Sequence, residues 1–443
     1  MKNKTQQLLT RLAKVECPDT TFLGEKFPIV MKRGRGLNVV DVDNRNYLDF
    51  TSCFGVLALG HTPAIIKHAM QKQAKHLIHG MGDVHPTEEK IKLLELLAKI
   101  SPYENPKSIL GLSGGDAIEA ALKTSMLATG RYQFLSFAGG YHGLQFAPLA
   151  LNNRNSFIAG FEPWLEGKCV TLPFPYFKGE ILCENARPDE SFFAQKHKLE
   201  SPQVILTQLE DHLKTKQFAA LVLEPIQGRG GKREFTREFL ESCAFLCKKY
   251  GTLLVFDEIF TGFGRTGKMF ALEHSQIIPD LLCVGKAMGG GLPLSACVGE
   301  ILDVWGKSKG EARHTQTFLG HPLACAVAYK NVLEIQKKFP KFQNEMKFIE
   351  NEFHKFVTLM QESGLSKKYP FELKGKGLMR GFWFYTQKEG FCVTLMERLL
   401  ESGFIVLPDG PRADVLSMTP PLITEAKHVK MFLKELFRVL DKI

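Results

Sequence analysis

The stretch from Leu253 to Gly299 places the tightest limits on what this chain can fold into. It contains two short apolar runs, Leu253 to Phe256 and Leu281 to Val284, each bounded by turn formers and long enough for a fully buried parallel strand. Asp257 follows the first run, and Lys286 follows the second after Gly285. In open α/β sheets the ligand crevice lies beyond the carboxyl ends of the strands. An acid and an amine emerging there would face one pocket.

A lysine that opens a glycine-rich turn beside a buried carboxylate suits a carbonyl cofactor held covalently. Pyridoxal 5′-phosphate meets that description. Its aldehyde condenses with a lysine amine, and its ring withdraws electrons only while an acid keeps the pyridine nitrogen protonated. Asp257 is the candidate acid. Lys286 needs a depressed pKa for this task, which burial and nearby cations provide. A lone lysine after a strand is ordinarily a solvated loop residue, so the pairing with Asp257 carries the reading.

Further strand-to-turn units support a crevice of this kind. Ile109 to Leu112 meets Ser113, Gly114 and Gly115, and a helical pattern starts at about Asp116 with Ile118, Leu122 and Met126 on one face and Glu119 four residues before Lys123. Glycines at such a turn let backbone N–H groups approach an anion, and the helix dipole favours negative charge there. Phe134 to Gly143 is another apolar strand ending in a glycine turn, followed by Tyr141 and His142. The Tyr141 ring could stack on a flat cofactor, core filling being the other reading. Ala219 to Gly231 restores the strand pattern and ends it at Glu224. A helix then leads back to Leu253, and strand, helix, strand implies a parallel sheet.

DEIFTGFGRTG followed by PDLLCVGKAMGGGLP resembles the central motifs of class III pyridoxal-phosphate aminotransferases. The resemblance runs from about Phe27 to the end. It implies a fold-type I α/β enzyme with a mostly parallel central sheet in a large domain and a smaller α+β domain. The corresponding division is an N-terminal arm over 1–60, a cofactor-binding domain over 61–329 and a small domain over 330–443. By resemblance Lys286 is the Schiff-base lysine, Asp257 the pyridinium partner, and Ile259 packs under the ring. Ser113, Gly114 and Gly115 form the phosphate loop, with Asp116 where the family commonly has Glu. Tyr141 matches the stacking aromatic residue, with His142 in support, and Glu224 lies on the substrate side. Thr317 matches a threonine that reaches the cofactor phosphate of a neighbouring subunit, which implies a homodimer with shared sites. His321 stands where the family commonly has Asn.

Two substrate-side positions depart from the ornithine and 4-aminobutyrate subgroups. Phe260 replaces Gln, and Ser417 replaces an arginine that would clamp a carboxylate. Arg412, in the loop PDGPRAD, resembles the loop arginines of omega-transaminases and is the candidate substitute, a surface arginine being the alternative. The implied activity is transfer of an amino group from a small amine or amino acid to an oxo acid. A pyridoxal-phosphate isomerase, either an aminomutase of the glutamate-1-semialdehyde type or a racemase, is the second reading.

Composition limits the remaining classes. The net charge of +10 comes from scattered lysines and arginines, so neither nucleic acid nor a membrane surface is an expected partner. No apolar run approaches a membrane span, and the basic opening segment reads as a surface helix and not a secretory signal. The ten cysteines show no metal-type CxxC pair, which suits a reducing, cytoplasmic location without a metal. Gly36 to Phe50 reads as a hairpin, a helix starts near Pro63, and His61 between them is a local hydrogen-bonding residue. The polar stretch from Glu184 to Gln203 reads as a surface excursion.

Overall fold

The computed structural model describes residues 3–443 except 23, 25–26, 176–180, 183–199, 308–310 and 387. Most of the expected excursion therefore lies outside the described residues. The opening segment forms the helix Lys4–Leu12, which buries none of its residues. The hairpin is present. Strands β1 (Met31–Arg35), β2 (Asn38–Asp41) and β3 (Asn46–Asp49) pair antiparallel in sequence order. Asp41 closes the turn by accepting the N–H of Asp43 at 2.9 Å and of Arg45 at 2.8 Å.

The central sheet is built from β4 (Lys107–Gly111), β5 (Gln133–Phe137) and β6 (Cys169–Leu172). Past β7 (Ile181–Leu182), which joins another sheet, it continues with β8 (Phe218–Leu223), β9 (Leu253–Asp257), β10 (Leu281–Val284) and β11 (Ser295–Gly299). Their spatial order is β4-β11-β10-β9-β8-β5-β6. The run from β6 through β5, β8 and β9 to β10 is parallel, while β11 is antiparallel to both of its neighbours. Every residue of β8, β10 and β11 is buried. Coverage on both faces explains why these strands are continuous apolar runs rather than alternating ones.

A smaller antiparallel sheet has the order β15-β16-β13-β12-β7, using β12 (Phe371–Lys376), β13 (Met379–Phe384), β15 (Leu407–Asp409) and β16 (Val415–Met418). Just before β15, β14 (Phe404–Ile405) pairs parallel to β3, so the C-terminal region completes the N-terminal sheet. The helix Pro322–Glu362 runs without interruption past 329/330, where the sequence suggested a domain boundary. Its far end places Phe353 and Phe356 against the small sheet. Their ring centroids lie 6.1 and 5.4 Å from that of fully buried Phe382, which also meets Phe371 at 5.5 Å.

Among the described residues no helix is long and apolar enough to cross a membrane. The nine described cysteines are all unpaired, and Cys243 and Cys247 are packed in the core on the helix Arg237–Tyr250. The small sheet relies on the ring cluster around Phe382. Phe382→Ala should lower the unfolding free energy by about 3–5 kcal/mol, the usual cost of such a cavity, measured by urea denaturation.

Candidate active site

Neighbouring parallel strands end side by side, and each end carries polar side chains. Asp257 is the last residue of β9, with Cys283 of β10 as its register partner. The chain then passes through extended Gly285 and enters a 3-10 turn, Lys286–Gly289, whose first residue holds φ 40°. A left-handed backbone at a long side chain costs roughly 1 kcal/mol and aims Lys286 back over the strand ends. The amine lies 4.2 Å from the centroid of the Phe260 ring. Among the described residues it makes no hydrogen bond or ion pair. Burial holds Lys286 below the usual lysine range; the charges of Asp257 and Glu224 oppose that shift, and those of Lys232 and Arg229 reinforce it.

Asp257 is 2% exposed, and its Oδ2 lies 2.8 Å from Nδ1 of His142, which is equally buried. Its other oxygen accepts the N–H of Ile259 at 3.0 Å. Burial alone would lower the His142 pKa, but the hydrogen bond and charge of Asp257 outweigh it and leave His142 above its ordinary value. His142 sits in the turn after β5, beyond Gly139 at φ 85°. That turn is tied to β8, because Tyr141 donates its N–H to Glu224 Oε1 at 2.9 Å. Glu224 Oε2 accepts the N–H of Gly228 at 2.8 Å, so backbone donors occupy both oxygens of this buried carboxylate. Burial raises its pKa, with the charge of His142 opposing and that of Asp257 adding. The half-buried Tyr141 ring meets Phe157 edge-on at 5.6 Å.

The turn after β4 comes to the same place. Ser113 caps the helix Gly114–Thr129 by accepting the N–H of Asp116, and the Asp116 carboxylate accepts the N–H of Ser113 in return. Aspartate is thus long enough to close this box. The N–H groups of Gly114 and Gly115 have no acceptor among the described residues. A Cβ on Gly114 would lie 3.0 Å from Ile259, and one on Gly115 would lie 1.8 Å from the Gln145 amide. Glycine gives Ile259 this close approach without strain, and Ile259 thereby joins the end of β9 to the helix N-terminus.

Two sequence candidates lie apart from this cluster. Thr317 is exposed, in the turn before Pro322. Arg412 lies in the loop between β15 and β16, where its carbonyl accepts the N–H of Gly390 at 3.1 Å and its charge acts on buried Asp414. His61 hydrogen-bonds Asp49 at 2.8 Å, in line with its local reading. Together with Cys53 these form a group of possible metal ligands, but Asp49 is already engaged by His61 and Thr51.

Sequence reasoning missed a charged wall. A small pocket between the elements is lined by Thr51, Arg229, Phe260, Asp409, Ser417 and Thr419, among others. Phe260 also underlies the Lys286 amine. It is wedged between Gly55 and Gly228, where an added Cβ at either would come within 2.4 Å of its ring. Asp409 meets Arg229 at 3.1 Å and Lys232 at 2.8 Å. The basic run GRGGKR was a visible signal, but its acidic partner lies 177 residues beyond Lys232.

The Asp257–His142 contact has a pH signature. A raised histidine pKa stabilises the fold fully below the unfolded value near 6.5, and that contribution is lost as the pH rises through the folded value. Thermal stability of the cofactor-free protein should therefore decline above pH 6.5, and Asp257→Asn should flatten the decline. An unchanged slope in the variant would assign it to other groups.

Similarity to known proteins agrees with this geometry. The family model described as aminotransferase class-III matches residues 23–440. The 2-aminoadipate transaminase of Pseudomonas putida is 31% identical over 409 residues, covering 90% of this chain and 92% of that protein. The acetylornithine aminotransferase of Methanocaldococcus jannaschii is 30% identical over 426 residues, covering 94% and 95%. Among solved structures, a Bacillus anthracis aminotransferase superposes with a TM-score of 0.86 over the full length of both chains at 23% identity, a likeness in fold. With strand ends, glycine turn and lysine arranged on the fold-type I architecture, this chain belongs to the class III aminotransferase family.

Proposed function

We propose that Lys286 is the covalent anchor and proton carrier for pyridoxal 5′-phosphate, the cofactor of class III aminotransferases. The observation that carries this reading is an amine without a hydrogen-bonding partner among the described residues, depressed in pKa, near the buried Asp257–His142 pair. The surrounding residues fit the group. Asp257 would hold a protonated ring nitrogen, its own charge kept in place by His142. The N–H groups of Gly114 and Gly115, at the N-terminus of the helix that Ser113 caps, would be donors to the phosphate. Ile259 and Tyr141 would supply apolar surface for the ring. When bound, the cofactor supplies an electron sink for the carbon bearing the amino group.

Lys286 does the proton work. Its neutral amine takes a proton at Nζ from the substrate carbon and returns it as general acid. The depressed pKa enlarges the neutral fraction beyond that of an ordinary lysine. Glu224, fixed by two backbone donors, adds negative charge on the substrate side. Substrates are a small amino donor and an oxo-acid acceptor. Arg412 remains a candidate for a carboxylate that reaches the loop between β15 and β16.

The exposure of Thr317 supports a place in a neighbouring subunit's site and hence a homodimer. The pairing of β14 with β3 supports an arm over 1–60 that packs with a small domain over 330–443, apart from a large domain over 61–329. Unpaired cysteines support a reducing, cytoplasmic setting.

A suitable amine should convert the visible spectrum of the holoenzyme, and an oxo acid should restore it. Turnover of one amino acid with no oxo acid and no lasting spectral change would favour the isomerase reading. Mixing Lys286→Ala subunits with Thr317→Ala subunits should restore activity at limiting cofactor, since one site of each mixed dimer is then intact. No restoration would place Thr317 outside the partner's site.

A further inference from the structure

We propose that Arg229 is the carboxylate-binding residue of the substrate pocket, exchanging a resting contact with Asp409 for the carboxylate of an incoming acid. This rests on the aminotransferase reading of the site. The Arg229 backbone is anchored, its carbonyl accepting the N–H of Gly410 at 3.0 Å, while its side chain keeps 33% of its surface exposed on the pocket wall. That wall shares Phe260 with the Lys286 amine, and Arg229 is near enough for its charge to act on Lys286.

The charges around Asp409 favour the exchange. Lys232 is completely buried and donates to Asp409 Oδ2 at 2.8 Å and to the Gly228 carbonyl at 3.0 Å. Lys232 therefore neutralises Asp409 without help. Arg229 is a second cation on the same acid. Its Nη1 lies 3.1 Å from Asp409 Oδ1, yet that buried oxygen accepts no hydrogen bond among the described residues. The contact is one of charge without an aligned bond. A substrate carboxylate can offer Arg229 two parallel charge-assisted bonds, and Asp409 keeps Lys232 when Arg229 turns away. Apart from Arg229 and Asp409, the polar side chains lining this pocket among the described residues are the hydroxyls of Thr51, Ser417 and Thr419. Acceptors without a carboxylate leave Arg229 on Asp409 and do not depend on it.

The test compares wild-type holoenzyme with Arg229→Gln, Arg229→Lys and Arg412→Ala. Acceptors are pyruvate, glyoxylate and 2-oxoglutarate, with butanal as an aldehyde lacking a carboxylate. Arg229→Gln should lower kcat/KM for the oxo acid used by about 100-fold, mostly through KM, the size of one or two charge-assisted bonds. With a donor amine that lacks a carboxylate, turnover of butanal should fall far less than that of the oxo acid, any shared loss reporting the charge of Arg229 on Lys286. Arg229→Lys, which keeps the charge but not the fork, should lose about 10-fold and carries the test if the glutamine variant does not accumulate. Equal losses for acids and butanal, or a selective loss in Arg412→Ala in place of Arg229→Gln, would overturn the proposal. Oxo-acid turnover that survives in Arg229→Gln defeats only this role for Arg229, whereas a wild-type enzyme that uses no oxo acid defeats the aminotransferase reading itself.

Discussion

The buried contact between Asp257 and His142 is the interaction on which the site depends. Both groups lie at the carboxyl ends of parallel strands, where the backbone leaves the sheet and a crevice opens. Neither could be placed there alone, because a buried unpaired charge is costly. At 2.8 Å each compensates the other, and the remaining Asp257 oxygen is taken by the N–H of Ile259. Through Ile259 the pair is tied to the glycine turn at Ser113, and through the turn holding Tyr141 and His142 it is tied to Glu224.

The same burial acts in opposite directions on two neighbouring bases. His142 faces a carboxylate, which outweighs desolvation and raises its pKa. Lys286 lies over the ring of Phe260, where desolvation prevails over the charges of Asp257 and Glu224 and its pKa falls. One shell thus favours the proton on His142, beside Asp257, and disfavours it on the Lys286 amine. Phe260 can occupy this position only because Gly55 and Gly228 leave room for it.

Much of the fold was legible in the sequence because buried parallel strands are written as apolar runs. Leu253 to Phe256 and Leu281 to Val284 coincide with β9 and β10, and the helix after Ser113 starts where its cap and glycines indicate. Contacts between distant residues left no such mark. The insertion of antiparallel β11 between β4 and β10, the pairing of β14 with β3, and the helix running past 329/330 are settled by tertiary packing. In the site, residue types at strand ends pointed to Asp257, Lys286 and Glu224, which the fold brings near one another. The sharing of Asp409 by Arg229 and Lys232 had no local pattern, since ion pairs across domains have no period.

The central claim is that Lys286, and no other lysine, carries the cofactor. Borohydride reduction of the protein reconstituted with pyridoxal 5′-phosphate, followed by mass spectrometry of its peptides, tests this directly. The account predicts a single stable modification on Lys286, formed faster as the pH rises and levelling off below 10.5, the ordinary lysine value. Modification at a different lysine, or a rate that levels off only at or above that value, would contradict it.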